Sequence, residues 1–371
     1  MKPRREKQDK VSDRLLKDIQ NKLDQRKRLT RQDGLALMDC HDLIGLGRLA
    51  RRIKKQKTGQ HVYFNSNFHI NLTNICVSRC KFCAFGRDRD DAGAYAMTLD
   101  EVLQQAEYGV EGGAKELHIV SALHPDLPFD YYVEVIRLCR ERFPTIHLKA
   151  FTAVEIDYFT KISQLSLHQV LQTLKEAGLD SLPGGGAEVF SPRVRDKLCP
   201  NKANSERWLE VMRTAHSLGL KSNATMLYGH IETLEERVDH LLALRNLQDE
   251  TGGFQSFIPL PFHPQNTQLS SIQRTTAFED LKMIAVSRLI LDNFDHIKAY
   301  WIMQGIPLAQ ISLNFGADDL DGTVVKEKIT HAAGARTNEG ITKEELIRLI
   351  REAGYTPVER DTLYNILQVF D

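Results

Sequence analysis

The sequence predicts an α/β fold, a closed barrel of eight parallel strands with helices around it, and two observations support this. After residue 62, short runs rich in β-branched and aromatic residues alternate with longer amphipathic segments that have helical periodicity. Doubly wound sheets alternate in the same way, but eight strands at this spacing favour closure. A chain of 371 residues is long enough for one such barrel with extensions.

The segments before and after the barrel are expected to be helical. Residues 1–60 are rich in charge and carry apolar residues such as Leu15 and Ile19 at three-to-four spacing, which predicts an N-terminal helical extension. The barrel is expected at 61–318, and residues 319–371, with a helix over 343–352, are expected to form a small C-terminal helical cap. No change in composition marks a linker to a second independent domain.

The individual elements follow from local patterns. The predicted strands cover residues 62–72, 116–121, 147–151, 179–182, 221–227, 254–260, 298–303 and 310–315. The capping box from Thr98 to Glu101 opens the first barrel helix. Further helices are predicted at 131–142, 167–176, 205–218, 234–248 and 278–291. Asp318, Asp319 and Asp321 lack the spacing of a calcium loop, so we interpret them as solvent-facing or substrate-loop acids.

Composition excludes several classes of partner. The chain has 49 basic and 49 acidic residues, so its zero net charge gives no sign of a nucleic-acid partner. No apolar run approaches the ~18 residues of a membrane span, and the N-terminal stretch lacks the apolar core of a signal peptide. Six cysteines without a disulfide-like pattern suit a reducing compartment, so a cytoplasmic location is expected.

Cys76, Cys80 and Cys83 form a C-x₃-C-x₂-C motif, which carries the functional prediction. Three thiolates are too few to saturate a cubane iron–sulfur cluster, so the fourth iron would be open to a small chelating ligand. Three alternatives remain open: a closed zinc site with a nearby histidine such as His69, a redox dithiol of Cys80 and Cys83, and three inert thiols. Cys40, Cys139 and Cys199 lie far apart and suggest no further ligand set.

With Phe82 immediately before the third cysteine, the motif resembles the signature of the radical S-adenosylmethionine (SAM) superfamily. The resemblance implies a 4Fe–4S cluster bound by three cysteines, with SAM chelating the open iron through its amino and carboxylate groups. It also implies that Phe82 lies near the adenine of SAM. Reductive cleavage would then give methionine and a 5′-deoxyadenosyl radical, using an electron from an external donor such as flavodoxin or ferredoxin.

The remaining site residues are chosen from polar side chains at the carboxyl ends of strands, where barrel chemistry occurs. The predicted SAM contacts are Phe82, Ser121, Glu155, Asn223, His263 and Thr267. The predicted substrate contacts are His124, Lys149, Gly185, Arg193 and His230. Residues 121–124 stand where the superfamily usually has a Gly-Gly-Glu-like stretch for the methionyl amine. Because this chain lacks it, Glu155 is the predicted ribose or amine acceptor. His118 is interpreted as a packing histidine.

Longer blocks extend the resemblance over nearly the whole chain. SLPGGGAEVF, NATMLYGHIET and GADDLDGTVV resemble the aminofutalosine synthase family of the futalosine route to menaquinone. This implies addition of the adenosyl radical to the vinyl group of 3-[(1-carboxyvinyl)oxy]benzoate, giving 6-amino-6-deoxyfutalosine. Cyclic dehypoxanthinylfutalosine synthases and F₀ synthases share some blocks and stay open as alternatives. From a different class, a zinc-stabilised barrel that binds a small ligand also stays open.

Overall fold

Seven parallel strands form the main sheet of the computed structural model, which describes residues 2–325 and 327–371. The strands are β1 (His61–Asn65), β2 (Asn67–Asn71), β3 (Glu116–Val120), β4 (His147–Ala150), β5 (Ser181–Leu182), β6 (Lys221–Tyr228), β7 (Phe254–Pro261), β8 (His296–Ile297), β9 (Asp319–Gly322), β10 (Thr356–Arg360) and β11 (Ile366–Val369). The main sheet runs in sequence order from β2 to β8. This order, with helices between the strands, confirms the α/β class.

The helices surround this sheet and cover the N-terminal segment. They are α1 (Lys2–Asp24), α2 (Arg31–Asp39), α3 (Leu43–Thr58), α4 (Leu99–Glu111), α5 (Phe129–Arg142), α6 (Ala153–Ser163), α7 (Leu167–Ala177), α8 (Pro192–Leu198), α9 (Ser205–Ser217), α10 (Leu234–Thr251), α11 (Ala277–Ile290), α12 (Trp301–Gln304), α13 (Ile306–Ser312), α14 (Ile329–Ala332) and α15 (Lys343–Glu352). Helices α2 and α3 pack against α10 and α11. The capping box predicted at Thr98 is confirmed, since its side chain accepts from the backbone N–H of Glu101. Among the described residues, no helix is both long and apolar enough to cross a bilayer.

The two edges of the main sheet are joined by residues 318–325. Asp319 forms a parallel bridge with Lys298, immediately after β8. Val325 forms a parallel bridge with Phe68 in β2. The segment therefore occupies the position of an eighth strand, between the last and the first strands of the sheet, as barrel closure requires.

A second sheet covers one end of the barrel, in the order β11-β10-β1-β9. Strand β1 pairs in parallel with β9 and β10, while β11 is antiparallel to β10. The single strand predicted over 62–72 is thus two strands in two sheets, separated at Ser66. The C-terminal residues contribute strands to this sheet in addition to helix α15, which the sequence analysis did not predict.

The last two predicted barrel strands were wrong. Within 298–303 the chain forms helix α12, and the strand before it is limited to β8. Within 310–315 it forms the end of α13, which has Pro307 in its first turn, where a missing N–H costs nothing. A short apolar run suits either a buried helix or a buried strand, so periodicity alone did not separate them.

The interpretation of the three aspartates as solvent-facing or substrate-loop acids was also wrong, because all three are buried in the closing segment. Each carboxylate has a buried basic partner, since an uncompensated charge in the interior would be costly. Asp318, Asp319 and Asp321 pair with Arg288, Arg360 and Lys298, respectively. Only Asp321 also faces the internal cavity described below.

Replacing Arg288 with methionine tests how much this closure depends on buried charge. Arg288 is fully buried and donates to the carbonyl oxygens of Gly316 and Asp295 as well as to Asp318. We expect Arg288→Met to lower the free energy of unfolding by about 3–5 kcal/mol, because Asp318 loses its main counter-charge. Equilibrium urea unfolding followed by circular dichroism measures this change.

Arg137→Met is the matched control. Arg137 is 44% exposed and pairs with two glutamates of its own helix. Exposed pairs of this kind contribute little, so a loss below about 1 kcal/mol is expected. Equal losses in the two variants would contradict the role given to Arg288.

Candidate active site

A cavity of about 400 Å³ runs through the barrel interior to the loops at the carboxyl ends of the strands. Its outer end is lined by the loop that follows β2, including all three cysteines of the motif. Its inner end reaches side chains within the strands, such as Glu116 at the start of β3 and Asn223 in β6. The cavity therefore connects the cysteine motif to a polar interior.

The cysteine loop is held in place by backbone hydrogen bonds to two other loops. The N–H of Lys81 donates to Leu198 O at 2.9 Å, and Lys81 O accepts from the N–H of Gln268 at 3.0 Å. Within the loop, the N–H of Cys83 donates to Cys80 O at 3.0 Å. The sulfur atoms are therefore presented by a constrained backbone.

The three thiols fit a cluster that takes three protein ligands. A Cβ added at Gly86 would lie 3.5 Å from Cys76 Cβ and 3.9 Å from Cys83 Sγ, so this glycine leaves space beside both ligands. The N–H of Gly86 also points at Cys83 Sγ, 3.4 Å away. Burial raises the pKa of the Cys80 thiol to about 12, so its thiolate form needs a metal to stabilise it.

The zinc alternative finds no support in this geometry. In the described part of the chain, no three His, Cys, Asp or Glu side chains are grouped as the ligands of one metal ion. Thiolates of a cubane bind different irons, so they do not need the close grouping of a tetrahedral zinc site. His69, the suggested fourth zinc ligand, is instead stacked on His118, with ring centroids 4.5 Å apart.

The structure places most of the predicted SAM contacts around the cavity. The residues that line it are Phe82, Ser121, Glu155, Asn223 and His263. Thr267 is not among the lining residues, and its hydroxyl donates to Pro264 O at 2.7 Å. Their roles toward SAM stay predictions.

Glu155 is also a structural link. Its carboxylate accepts from the backbone N–H groups of Ser121 at 2.6 Å and Thr152 at 2.8 Å, which joins the end of β3 to the start of α6. Burial raises the pKa of this carboxyl group to about 7, while the donors oppose that shift. The sequence Thr152-x-x-Glu155 is a capping box, a signal that predicts α6 although the sequence analysis passed over it.

Two of the predicted substrate contacts, Lys149 and Gly185, line the cavity. The Lys149 ammonium donates to Glu116 at 2.8 Å and is almost fully buried. The glycines around Gly185 serve packing, because a Cβ at Gly184 would lie 2.7 Å from the carbonyl oxygen of Asn223.

The other three predicted substrate contacts lie outside the cavity lining. The His124 ring accepts two backbone N–H groups of its own loop through Nδ1. Arg193 binds Glu236, and His230 binds Glu232. Each side chain is thus occupied by local contacts, so its placement gives the prediction no support.

Sequence reasoning missed the polar inner end of the cavity. Glu116 Oε2 accepts from Lys149, from Thr362 at 2.6 Å and from Asn65 at 3.2 Å. Burial opposes ionisation of Glu116, but Lys149 outweighs it and holds the pKa well below its usual value. His118, interpreted as a packing histidine, lines the cavity beside it. The alternation of polar and apolar residues along β3 was the signal for these inward side chains.

A second ion pair lies at the outer end, between Glu188 and Lys202. Lys202 Nζ is 2.7 Å from Glu188 Oε1 and 5.2 Å from the centroid of the Phe82 ring. Burial opposes both charges, yet each partner outweighs it, so the pKa of Glu188 is lowered and that of Lys202 is raised. No spacing in the sequence indicated that Lys202 would join the site.

Cys80→Ala tests the ligand assignment, with Cys199→Ala as the matched control. Both cysteines are buried, but only Cys80 lines the cavity. After anaerobic reconstitution, we expect Cys80→Ala to lose the brown colour and the absorbance near ~400 nm that Fe–S coordination by thiolate produces. Cys199→Ala should keep iron and sulfide content at the level of the unmodified protein. Loss of the cluster in Cys199→Ala would contradict a set of three ligands.

Comparison with family models divides the chain into two matched regions. Residues 70–244 match the model of the radical SAM superfamily, which includes the cysteine motif. Residues 251–371 match the CofH/MqnC C-terminal region.

Similar curated proteins cover nearly the whole chain. The aminodeoxyfutalosine synthase of Thermus thermophilus is 48% identical, over 97% of this chain and 98% of its own length. The enzyme of the same name from Streptomyces coelicolor is 45% identical over 96% and 95%. A 5-amino-6-(D-ribitylamino)uracil–L-tyrosine 4-hydroxyphenyl transferase from Methanopyrus kandleri is 40% identical over 90% and 92%.

Solved structures agree on the barrel. The hydrogenase maturase HydG from Carboxydothermus hydrogenoformans aligns with a TM-score of 0.73 at 16% identity, over 97% of this chain and 83% of its own. Methylornithine synthase aligns with 0.70 at 19% identity, over 94% and 97%. At these identities the likeness concerns the fold alone. The full-length relatives, together with the cysteine motif, show that the chain belongs to the aminodeoxyfutalosine synthase family of the radical SAM superfamily, whose enzymes form a carbon–carbon bond with a 4Fe–4S cluster and SAM.

Proposed function

We propose that this enzyme joins the 5′-deoxyadenosyl group to 3-[(1-carboxyvinyl)oxy]benzoate, forming 6-amino-6-deoxyfutalosine for menaquinone biosynthesis. The observation that carries the proposal is 48% identity to an aminodeoxyfutalosine synthase over nearly the full length of both chains. The cysteine motif supports it, because the motif opens onto a cavity large enough for small molecules.

Bound together, the cluster and SAM would supply a 5′-deoxyadenosyl radical at the outer end of the cavity. The protein's part is to bring the substrate vinyl group within van der Waals contact of that end, since proximity decides addition over hydrogen abstraction. The apolar lining, with residues such as Leu123, Ile258 and Phe262, excludes water and stray hydrogen donors.

The substrate has two carboxylates, which need cationic or amide partners. Lys149 is a cation within the barrel interior, and the neutral rings of His69 and His118 lie at the same end of the cavity. Burial lowers the pKa of His69 to about 4, so this ring offers hydrogen bonds without adding charge. We propose that one substrate carboxylate binds at this inner end.

The electron enters from outside the protein. Cys83 is exposed and lies at the outer end of the cavity, which suits electron transfer from a docked protein. We propose flavodoxin or ferredoxin as the donor and the cytoplasm as the location, because a reducing compartment protects free thiols and the cluster.

A second candidate is supported by the archaeal relatives, which are named for transfer between L-tyrosine and 5-amino-6-(D-ribitylamino)uracil. These relatives are less similar than the two synthases but also extend over most of the chain. Substrate choice therefore has to be measured directly.

Product analysis separates these candidates. The reconstituted enzyme is incubated without oxygen with SAM, a reductant and either the enol ether or the tyrosine–diaminouracil pair, and products are identified by mass spectrometry. We expect methionine and an adenosine-containing adduct in equal amounts from the enol ether, with little free 5′-deoxyadenosine. Turnover of the tyrosine pair alone, or free 5′-deoxyadenosine formed in step with turnover, would refute the proposed reaction. The Cys80→Ala protein is the inactive control.

Lys149→Met and Arg193→Met distinguish two of the predicted substrate contacts. Lys149 lines the cavity, whereas Arg193 binds Glu236 outside it. We expect Lys149→Met to raise KM for the enol ether about tenfold or more, with KM for SAM nearly unchanged, because a charge-assisted hydrogen bond is lost. Arg193→Met should leave both KM values in place. A rise in KM for SAM alone would contradict the assignment, and thermal unfolding of each variant controls for loss of the Lys149–Glu116 pair.

A further inference from the structure

The Glu188–Lys202 ion pair is adjacent to the cysteine ligands but is not needed to bind them. Glu188 follows the glycine-rich turn after β5, and Lys202 lies in the loop after α8. Their side chains are 11% and 14% exposed, so both charges are shielded from bulk water. Both residues line the cavity together with Cys76, Cys80 and Cys83.

The loop that carries Lys202 is fixed to the cysteine loop. The N–H of Lys81 donates to Leu198 O, and Ser78 Oγ lies 3.5 Å from Asn201 O. Lys202 itself rests on the ring of Phe82, which is adjacent in sequence to Cys83. The ammonium is thus held at a constant place relative to the ligand sulfurs.

The two charges act on Cys80 with opposite sign. The Lys202 ammonium lowers the pKa of the Cys80 thiol, while the Glu188 carboxylate raises it. Negative charge on this sulfur is therefore stabilised by one member of the pair and destabilised by the other. One-electron reduction of the bound cluster also adds one negative charge at this place, with no bond made or broken.

We propose that the Glu188–Lys202 pair sets the reduction potential of the cluster, with Lys202 raising it and Glu188 lowering it. A nearby positive charge stabilises the reduced cluster, and a negative charge stabilises the oxidised cluster. Because the pair is buried, each charge acts through a medium less polarisable than water. Both are positioning residues in this role. The inference rests on the family's cofactor and is independent of which substrate the enzyme uses.

The test is a redox titration of the reconstituted full-length protein, monitored by electron paramagnetic resonance without SAM or substrate. We expect Lys202→Met to lower the equilibrium constant for one-electron reduction about tenfold, which is 59 mV for one electron. Glu188→Gln should raise it about tenfold. The double variant should return to within about threefold of the unmodified protein, because each charge change offsets the other.

Lys202→Arg is the conservative control, since it keeps the positive charge and should stay within about threefold. Equal iron content in all variants shows that the cluster is intact. Single variants that leave the midpoint in place, or shift it in the same direction, overturn the proposal, because a purely structural role has no sign. Should Lys202→Met fail to bind four irons, Glu188→Gln decides: a higher midpoint supports the proposal, and an unchanged or lower one overturns it.

Discussion

Closure of the barrel depends on the neutralisation of buried carboxylates in the segment that joins its two edges. An unpaired carboxylate inside a protein costs several kcal/mol, so each acid of this segment requires a base in a fixed position. The bases come from three separate places: Arg288 in α11, Lys298 after β8 and Arg360 in β10. Ion pairing therefore fixes a helix, the last strand of the main sheet and the C-terminal strand relative to the closing segment. Because Asp321 lines the cavity, the same segment forms part of the site.

The site follows the same rule. From its inner to its outer end, the cavity has the pairs Glu116–Lys149 and Glu188–Lys202. Each charge is balanced within a few ångströms, so the cavity presents an alternating pattern of charge without a large net field. Ligands are then selected by where their own charges fall along the cavity, and attraction at long range contributes little. This agrees with a chain whose net charge is zero.

The features that the sequence predicted are those that depend on neighbouring residues. Helix α4 has its Thr98 capping box, and three cysteines within eight residues present their thiols to one cavity. Pairing across strands was not predictable, because Glu116 meets Lys149 only through the parallel register of β3 and β4. The closing strand β9 was missed for a related reason. Its sequence, DLDG, has poor strand propensity, and distant arginines and a lysine stabilise it.

The hydrogen bonds of Glu116 explain how a paired lysine can still bind a ligand. Glu116 Oε2 accepts from Lys149 and also from two neutral donors, Thr362 and Asn65. When the Lys149 ammonium turns toward a carboxylate in the cavity, Glu116 keeps both neutral hydrogen bonds and remains close to the positive charge. Opening the pair therefore costs less than exposing an isolated buried carboxylate. The neutral donors, supplied in part by the C-terminal residues beneath the barrel, allow one lysine both to stabilise the fold and to bind substrate.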